Sequence, residues 1–357
     1  TVNVPVEVLP KATPEKVTTL KDTTSENLTT AVKEKAQAAL GKLTLPTGVT
    51  AELDSTQTYA VPATDSNGDK DNVPVKVQYK DATGTVVAED TINVPVTVVS
   101  STPSKIVVFE GDEVTADTVK GAVTPGTDGT KGTPVIPTDL TKQSGEKEVT
   151  VPVAYDGITE PEQVKVPVTV LPKPEADEIL VAKNSDKDKA KEKVLDKAKK
   201  AIEDGTFKGK LPQGATVTVD ETVPVTVPDL TEDTEVEVTV KYTVPGQDEP
   251  LTTTVKVPVT VVEGVPQIVP VKENNDVLPD PEKSIDKTDY PEGSTFRYKT
   301  PEGQTTPIDV TTPGDKDVIV EVLDKDGNPI AEVPATVRVV ESYPKYVPVD
   351  PAKKQPD

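Results

Sequence analysis

A five-residue pattern of alternating valine returns along the chain and limits its fold more than any other feature. It reads Val4-Pro5-Val6-Glu7-Val8, Val94-Pro95-Val96-Thr97-Val98, Val166-Pro167-Val168-Thr169-Val170 and Val257-Pro258-Val259-Thr260-Val261, with a degraded copy at Val333-Pro334-Ala335-Thr336-Val337. Period-two alternation marks a strand buried on one face. Each copy is followed by a change of texture, usually marked by proline or glycine, so the pattern closes a unit. A feature returning at this spacing means tandem domains. Taking the closing strands as ends gives units at 11–100, 101–172, 173–262 and 263–342. Residues 1–10 then carry the closing strand of a preceding repeat, and 343–357 form a linker bearing proline and lysine.

Composition alone would suggest disorder: 34% hydrophobic, 3% aromatic, 36 prolines and a net charge of −22 over 357 residues. The apolar residues are mostly valines in alternating runs, however, and these can build several small cores. The chain has no Cys, His, Met or Trp. A disulfide framework, a thiol nucleophile and a Ser/His/Asp set are therefore excluded. With 61 acidic against 39 basic residues, a nucleic-acid backbone would be repelled. No apolar run is long enough to span a membrane as a helix. The chain opens directly on a strand, so a signal peptide is expected to be removed or upstream.

The first and third units match best. Each opens with a helix, then Leu45-Pro46-Thr47-Gly48 or Leu211-Pro212-Gln213-Gly214, then strands. In the first, Ser25 is the expected N-cap, Leu28, Val32, Ala36 and Leu40 the apolar stripe, and Gly41 the stop. In the third these roles fall to Ser185, to Ala190, Val194, Ala198 and Ile202, and to Gly205. The lysines on the other face, such as Lys187, Lys189, Lys191 and Lys193, read as a solvated surface. The second and fourth units lack the long helix, with one turn near 115–120 and a helix-poor start near 281–289.

All four units share a terminal hairpin. Its penultimate strand carries Val73, Val75, Val77 and Tyr79; Val149, Val151, Val153 and Tyr155; Val236, Val238, Val240 and Tyr242; or Val318, Val320 and Val322. The clearest turn is Asp324-Lys325-Asp326-Gly327-Asn328. Pro95, Pro167 and Pro258 cannot donate ladder hydrogen bonds, which predicts that the closing strand lies at a sheet edge. Short linkers containing proline predict semi-rigid joints and an elongated rod.

Asp65, Asn67, Asp69 and Asp71 alternate like the ligands of a calcium loop. Against that, Lys70 and Lys76 stand where such a loop needs glycine and a bidentate glutamate. Gly68-Asp69-Lys70-Asp71 also parallels Gly314-Asp315-Lys316-Asp317 and Gly145-Glu146-Lys147-Glu148, so a turn before the penultimate strand is the preferred reading. Asn27-Leu28-Thr29 is formally a glycosylation acceptor but sits at a helix start. Tyr79, Tyr155 and Tyr242 read as core-edge residues, with carbohydrate stacking as the alternative. No Lys–Asn pair is singled out for an isopeptide crosslink, and no catalytic carboxylate pair is fixed.

The fourth unit carries a family resemblance. Residues 290–300, from Tyr290-Pro291-Glu292-Gly293 to Thr300, and residues 311–318, Thr311-Thr312-Pro313-Gly314-Asp315-Lys316-Asp317-Val318, resemble the Rib/alpha-like repeat of Gram-positive surface proteins. The second unit keeps only part of that pattern, in Phe109-Glu110-Gly111-Asp112 and Ser144-Gly145-Glu146-Lys147, and the two long units look like a longer variant with an added helix. The resemblance implies a mostly β chain of tandem immunoglobulin-like β-sandwich repeats. It implies an extracellular, wall-associated location, attachment to peptidoglycan through regions outside this chain, and a monomeric, non-enzymatic adhesin stalk without cofactor. No Leu-Pro-x-Thr-Gly sorting motif is present. The alternatives are repeats that themselves bind a host glycan or matrix protein, and spacer domains of an exported glycosidase.

Overall fold

The structure is a computed structural model describing residues 6–286 and 290–341. The chain forms two compact units, Thr1–Leu171 and Pro172–Asp357, and each holds two repeats. The first repeat contains β1 (Val17–Leu20), α1 (Ser25–Gly41), β2 (Thr50–Leu53), β3 (Gly68–Lys80) and β4 (Val86–Val99). The second contains β5 (Thr102–Pro103), β6 (Ile106–Phe109), α2 (Ala116–Gly121), β7 (Val123–Thr124), β8 (Thr130–Lys131), β9 (Gly145–Ala154) and β10 (Glu162–Leu171). The third contains β11 (Ile179–Ala182), α3 (Lys187–Glu203), α4 (Gly205–Gly209), β12 (Thr216–Val219), β13 (Thr234–Thr243) and β14 (Leu251–Val262). The fourth contains β15 (Gln267–Pro270), a 3-10 turn at Pro281–Ser284, β16 (Thr295–Tyr298), β17 (Gly314–Leu323) and β18 (Pro329–Val340).

Each repeat has a four-stranded sheet of one topology: β1-β4-β3-β2, β6-β10-β9-β8, β11-β14-β13-β12 and β15-β18-β17-β16. The opening strand pairs in parallel with the closing strand, and the other ladders are antiparallel. A parallel pair needs a long crossover, and everything between the opening strand and the final hairpin supplies it. The chain is thus mostly β and tandem, with a helix added in the first and third repeats. The layer facing each sheet varies. It is α1 in the first repeat, a β5–β7 ribbon with α2 in the second, α3 and α4 in the third, and largely irregular chain in the fourth.

Alternation sets the cores. Val73, Val75 and Val77 are fully buried beneath Leu28, Val32 and Ala36 of α1, and burying each such aliphatic side chain contributes about 1.5–3 kcal/mol. Before β2, β12 and β16, Gly48, Gly214 and Gly293 stand at φ 83°, 79° and 85°. They form turns closed by Val49 N–H to Pro46, Ala215 N–H to Pro212 and Ser294 N–H to Pro291. That backbone places glycine third in a type II turn.

Several expectations are corrected. The closing strand lies inside its sheet, second in the order, and not at an edge. Its parallel partner begins one residue after each proline, at Val96↔Val17, Val168↔Ile106 and Val259↔Ile179. Pro167 and Pro258 therefore each have a ladder neighbour on one side only, Glu148 and Glu235, and Pro95 falls at the register shift between Lys70 and Val73 of β3, so none of the three needs a second N–H.

Thr24, not Ser25, caps α1, and Asp186, not Ser185, caps α3. The cap must precede the first helical residue with extended backbone, and the Asp186 carboxylate accepts two N–H groups, from Asp188 and Lys189. Helix α1 runs through Gly41. In the third repeat the break falls at Asp204 (φ −54°, ψ 133°), and Gly205 opens α4. Gly68, Gly145 and Gly314 are the first residues of β3, β9 and β17, at φ 108°, 129° and 130°, so the motif they begin is a strand start and not a turn. Residues 6–10 form no strand, and Val6 and Val8 are exposed. Residues 1–5, 287–289 and the linker expected at 343–357 lie outside the described residues.

Candidate functional site: the joints between repeats

Within the first unit, linker residues Ser100 and Ser101 are held from both sides. From the first repeat, Asn67 Nδ2 donates to the Ser100 carbonyl at 3.3 Å, and Ser100 Oγ donates back to Asn67 Oδ1 at 2.8 Å. From the second, the Glu162 carboxylate accepts the Ser101 N–H at 2.9 Å. The Tyr155 hydroxyl lies 2.8 Å from Ser101 Oγ, accepts the Gly126 N–H at 3.0 Å and donates to Glu162 at 3.2 Å. Val99, at the end of β4, is buried in the core cluster of the second repeat, where Leu20 also packs. The β9–β10 turn comes back toward β1, with the Gly157 backbone beside Thr18.

The second unit repeats the plan with other residues. From the third repeat, Lys183 N–H donates to the Val262 carbonyl at 2.9 Å, and its ammonium pairs with Glu263 at 2.9 Å. From the fourth, Ser284 supplies a carbonyl to Val265 N–H at 2.8 Å, and Gly264 bridges to Ile285. Tyr298, Ser284 and Gln267 form a closed triangle. The two hydroxyls lie 2.8 Å apart, one donating to the other, and both lie within hydrogen-bond distance of the Gln267 Oε1 acceptor, at 3.0 Å from Tyr298 and 3.1 Å from Ser284, so two protons serve three contacts. Val262 and Leu180 belong to the fourth repeat's core cluster. Lys193 of α3 reaches across, with its ammonium 3.2 Å from the carbonyls of both Leu180 and Ile330. The residue is exposed as a whole, but desolvation at that tip lowers its pKa. This joint therefore adds a lateral contact to the short linker that the sequence predicts.

The repeated tyrosines are buried anchors, with no ring face open for stacking a sugar. Each ties down the segment entering its own repeat: Tyr79 to the Pro10 carbonyl at 2.8 Å, Tyr155 to Ser101, and Tyr242 to the Pro172 carbonyl at 2.6 Å. In the fourth repeat the second strand supplies Tyr298 for the same task. Burial raises the pKa of Tyr79, Tyr155 and Tyr298, because a phenolate there would lose water.

The calcium candidates are dispersed over other tasks. Asp65 is exposed beside Ser66, Asn67 holds Ser100, Asp69 accepts from Thr97 Oγ1 at 2.5 Å, and Asp71 lies exposed in β3. Among the described residues no three or more His, Cys, Asp or Glu are grouped to hold a metal. Sequence reasoning missed the linker contacts of Asn67, Glu162, Ser284 and Lys193. It also missed a local signal, Asp-x-Thr. Asp54, Asp220 and Asp309 each accept the N–H and hydroxyl of the threonine two residues on, which lowers their pKa.

Among the described residues no helix is long and apolar enough to cross a membrane. No family model matches the chain, and no curated protein matches it. Among solved structures it is similar to Drosophila N-cadherin EC1-4, with 11% identity over 83% of this chain and 93% of that one, at TM-score 0.16. It is also similar to the protocadherin GammaB4 extracellular domain, with 10% identity over 82% of this chain and 61% of that one, at TM-score 0.14. A third is the sialic acid binding region of a Streptococcus sanguinis SK1 adhesin bound to 3'sLn, with 14% identity over 71% and 67%, at TM-score 0.15. The chain spans less than two thirds of the protocadherin's length. Likenesses at these TM-scores carry no argument about what this chain does.

Proposed function

We propose that the chain is a run of Rib/alpha-like repeats from an exported Gram-positive surface protein, serving as the non-enzymatic stalk of an adhesin. The observation that supports this reading is the two-sided hold on the linkers inside both units. An ungripped linker residue keeps about 1–2 kcal/mol of backbone conformational freedom. Ser100, Ser101 and residues 263–266 give up much of that freedom to hydrogen bonds from the repeats before and after. A joint so held transmits orientation and load instead of swivelling. The net charge of −22 keeps neighbouring stalks apart in solution.

Small-angle scattering of the whole chain tests the proposal. An extended particle that becomes more flexible in Asn67→Ala/Tyr155→Phe is expected. A globular maximum dimension, or no response to those substitutions, overturns it. A second reading, ligand binding by the repeats themselves, draws on a groove of about 640 Å³ in the fourth repeat, lined in part by Pro266, Pro301, Pro307, Ile319 and Pro334. Silence of the intact chain in a screen of host glycans and matrix proteins would eliminate that reading.

A further inference from the structure

The chain contains one Asn-Gly dipeptide, Asn67-Gly68, and it lies in the first joint. Both residues are exposed. Gly68 stands at φ 108° as the first residue of β3, and a Cβ built there would meet nothing within 4 Å, so no side chain of its own crowds the backbone nitrogen and the space beside its Cα is open. Every other asparagine is followed by a residue with a side chain. The Asn67 carbonyl is also polarised, since Ser100 Oγ donates to its Oδ1 at 2.8 Å. A donor aimed at that oxygen stabilises the charge that develops there when the carbonyl carbon is attacked.

We propose that Asn67-Gly68 is a self-modification site that loosens the first joint, with Ser100 as its positioning residue. The Gly68 nitrogen loses its proton and attacks Asn67 Cγ. A C–N bond forms, the Cγ–Nδ2 bond breaks, and the side-chain nitrogen leaves as ammonia. The resulting five-membered succinimide is opened by solvent water at either carbonyl, giving aspartate or isoaspartate. The balance is one amide plus water to one carboxylate plus ammonium, with no change of oxidation state. The product cannot donate to the Ser100 carbonyl. It sets a negative oxygen against that carbonyl instead, and the isoaspartate form adds a methylene to the backbone where β3 begins. The acidic neighbours Asp65, Asp69 and Asp71 disfavour the added charge, which favours displacement of the modified side chain from the linker.

The test is timed incubation of the intact chain in mildly alkaline buffer, with peptide mass mapping and isoaspartate detection, beside Ser100→Ala and Asn67→Asp. Conversion at Asn67 ahead of every other asparagine is expected, slowed in Ser100→Ala, with faster hydrogen exchange at the Ser101 amide in both the converted chain and Asn67→Asp. An unreacted Asn67, or faster conversion in Ser100→Ala, overturns the site. Conversion that leaves Ser101 exchange unchanged overturns its coupling to the joint.

Discussion

The joints in the two units solve one problem with different chemistry. Ser100-Ser101-Thr102-Pro103 and Glu263-Gly264-Val265-Pro266 occupy matching places, between the end of a closing strand and the next opening strand. In the first, side chains reach the linker: Asn67, Tyr155 and Glu162. In the second, the linker backbone presses directly onto the next repeat, and the hydroxyl triangle sits behind it. A side-chain joint tolerates substitution at the linker but depends on each partner. A backbone joint depends on the absence of a side chain.

The largest expected effect follows from that contrast. A Cβ at Gly264 would overlap the Pro334 carbonyl oxygen and lie 2.9 Å from the Ala335 Cα, so backbone would have to move. Gly264→Val is expected to destabilise the fourth repeat by about 3 kcal/mol, the upper part of the usual overpacking range. Ser101→Ala at the matching position removes one hydroxyl contact and is expected to cost about 1 kcal/mol. Denaturant unfolding followed by hydrogen exchange in each repeat separates the two, and equal losses would dissolve the distinction between the joints.

Next come the tyrosines. Tyr155→Phe leaves the Gly126 N–H without its acceptor and removes a donor from Glu162, an expected loss of about 1–3 kcal/mol. In Tyr298→Phe the Ser284 hydroxyl still bonds Gln267, so about 0.5–1.5 kcal/mol is expected. The ordering of the two midpoints is the measurement, and reversal would mean that the triangle, not the Glu162 network, is the tighter hold.

How much of this was legible in the sequence depends on distance along the chain. The hairpins, the Leu28–Leu40 stripe and the Pro-x-Gly turns are written in contiguous residues, and periodicity exposes them. The opening strands were not legible. Val17-Thr18-Thr19-Leu20 is four residues long and pairs with a strand almost eighty positions away, so nothing local marks it. Once that parallel partner is known, the strand that the prolines placed at an edge moves inside the sheet. The joint was hidden for the same reason. Asn67 looked like part of a metal loop because its neighbours are acidic, whereas its actual partner, Ser100, is far off in sequence.

Alkaline pH probes both joints without mutation. Tyr79, Tyr155 and Tyr298 have folded-state pKa values raised above the ordinary 10.0, chiefly by burial. The unfolded chain therefore releases these protons first. Their stabilisation is complete below pH 10 and is lost as pH rises from there through the folded-state values. Tyrosinate absorbance recorded alongside circular dichroism is expected to show these phenols ionising together with unfolding, above the ordinary tyrosine range. Smooth ionisation at ordinary values in a folded chain would contradict the anchoring role.

The smallest effect is the most discriminating for the second joint. Lys193 spends its ammonium on two carbonyls, one in each repeat, at a position where desolvation already disfavours the charge. Lys193→Met keeps the stem and its packing and removes both the charge and the penalty for holding it. The net change is expected to be under about 1 kcal/mol, because the hydrogen bonds lost and the desolvation relieved oppose each other. Lys193→Ala also removes the stem lying between α3 and β18, and should cost more. If Met and Ala are equally damaging, the charge is what joins the third and fourth repeats. If Met is near neutral, the lateral contact is carried by the packing of the side-chain stem and not by its charge.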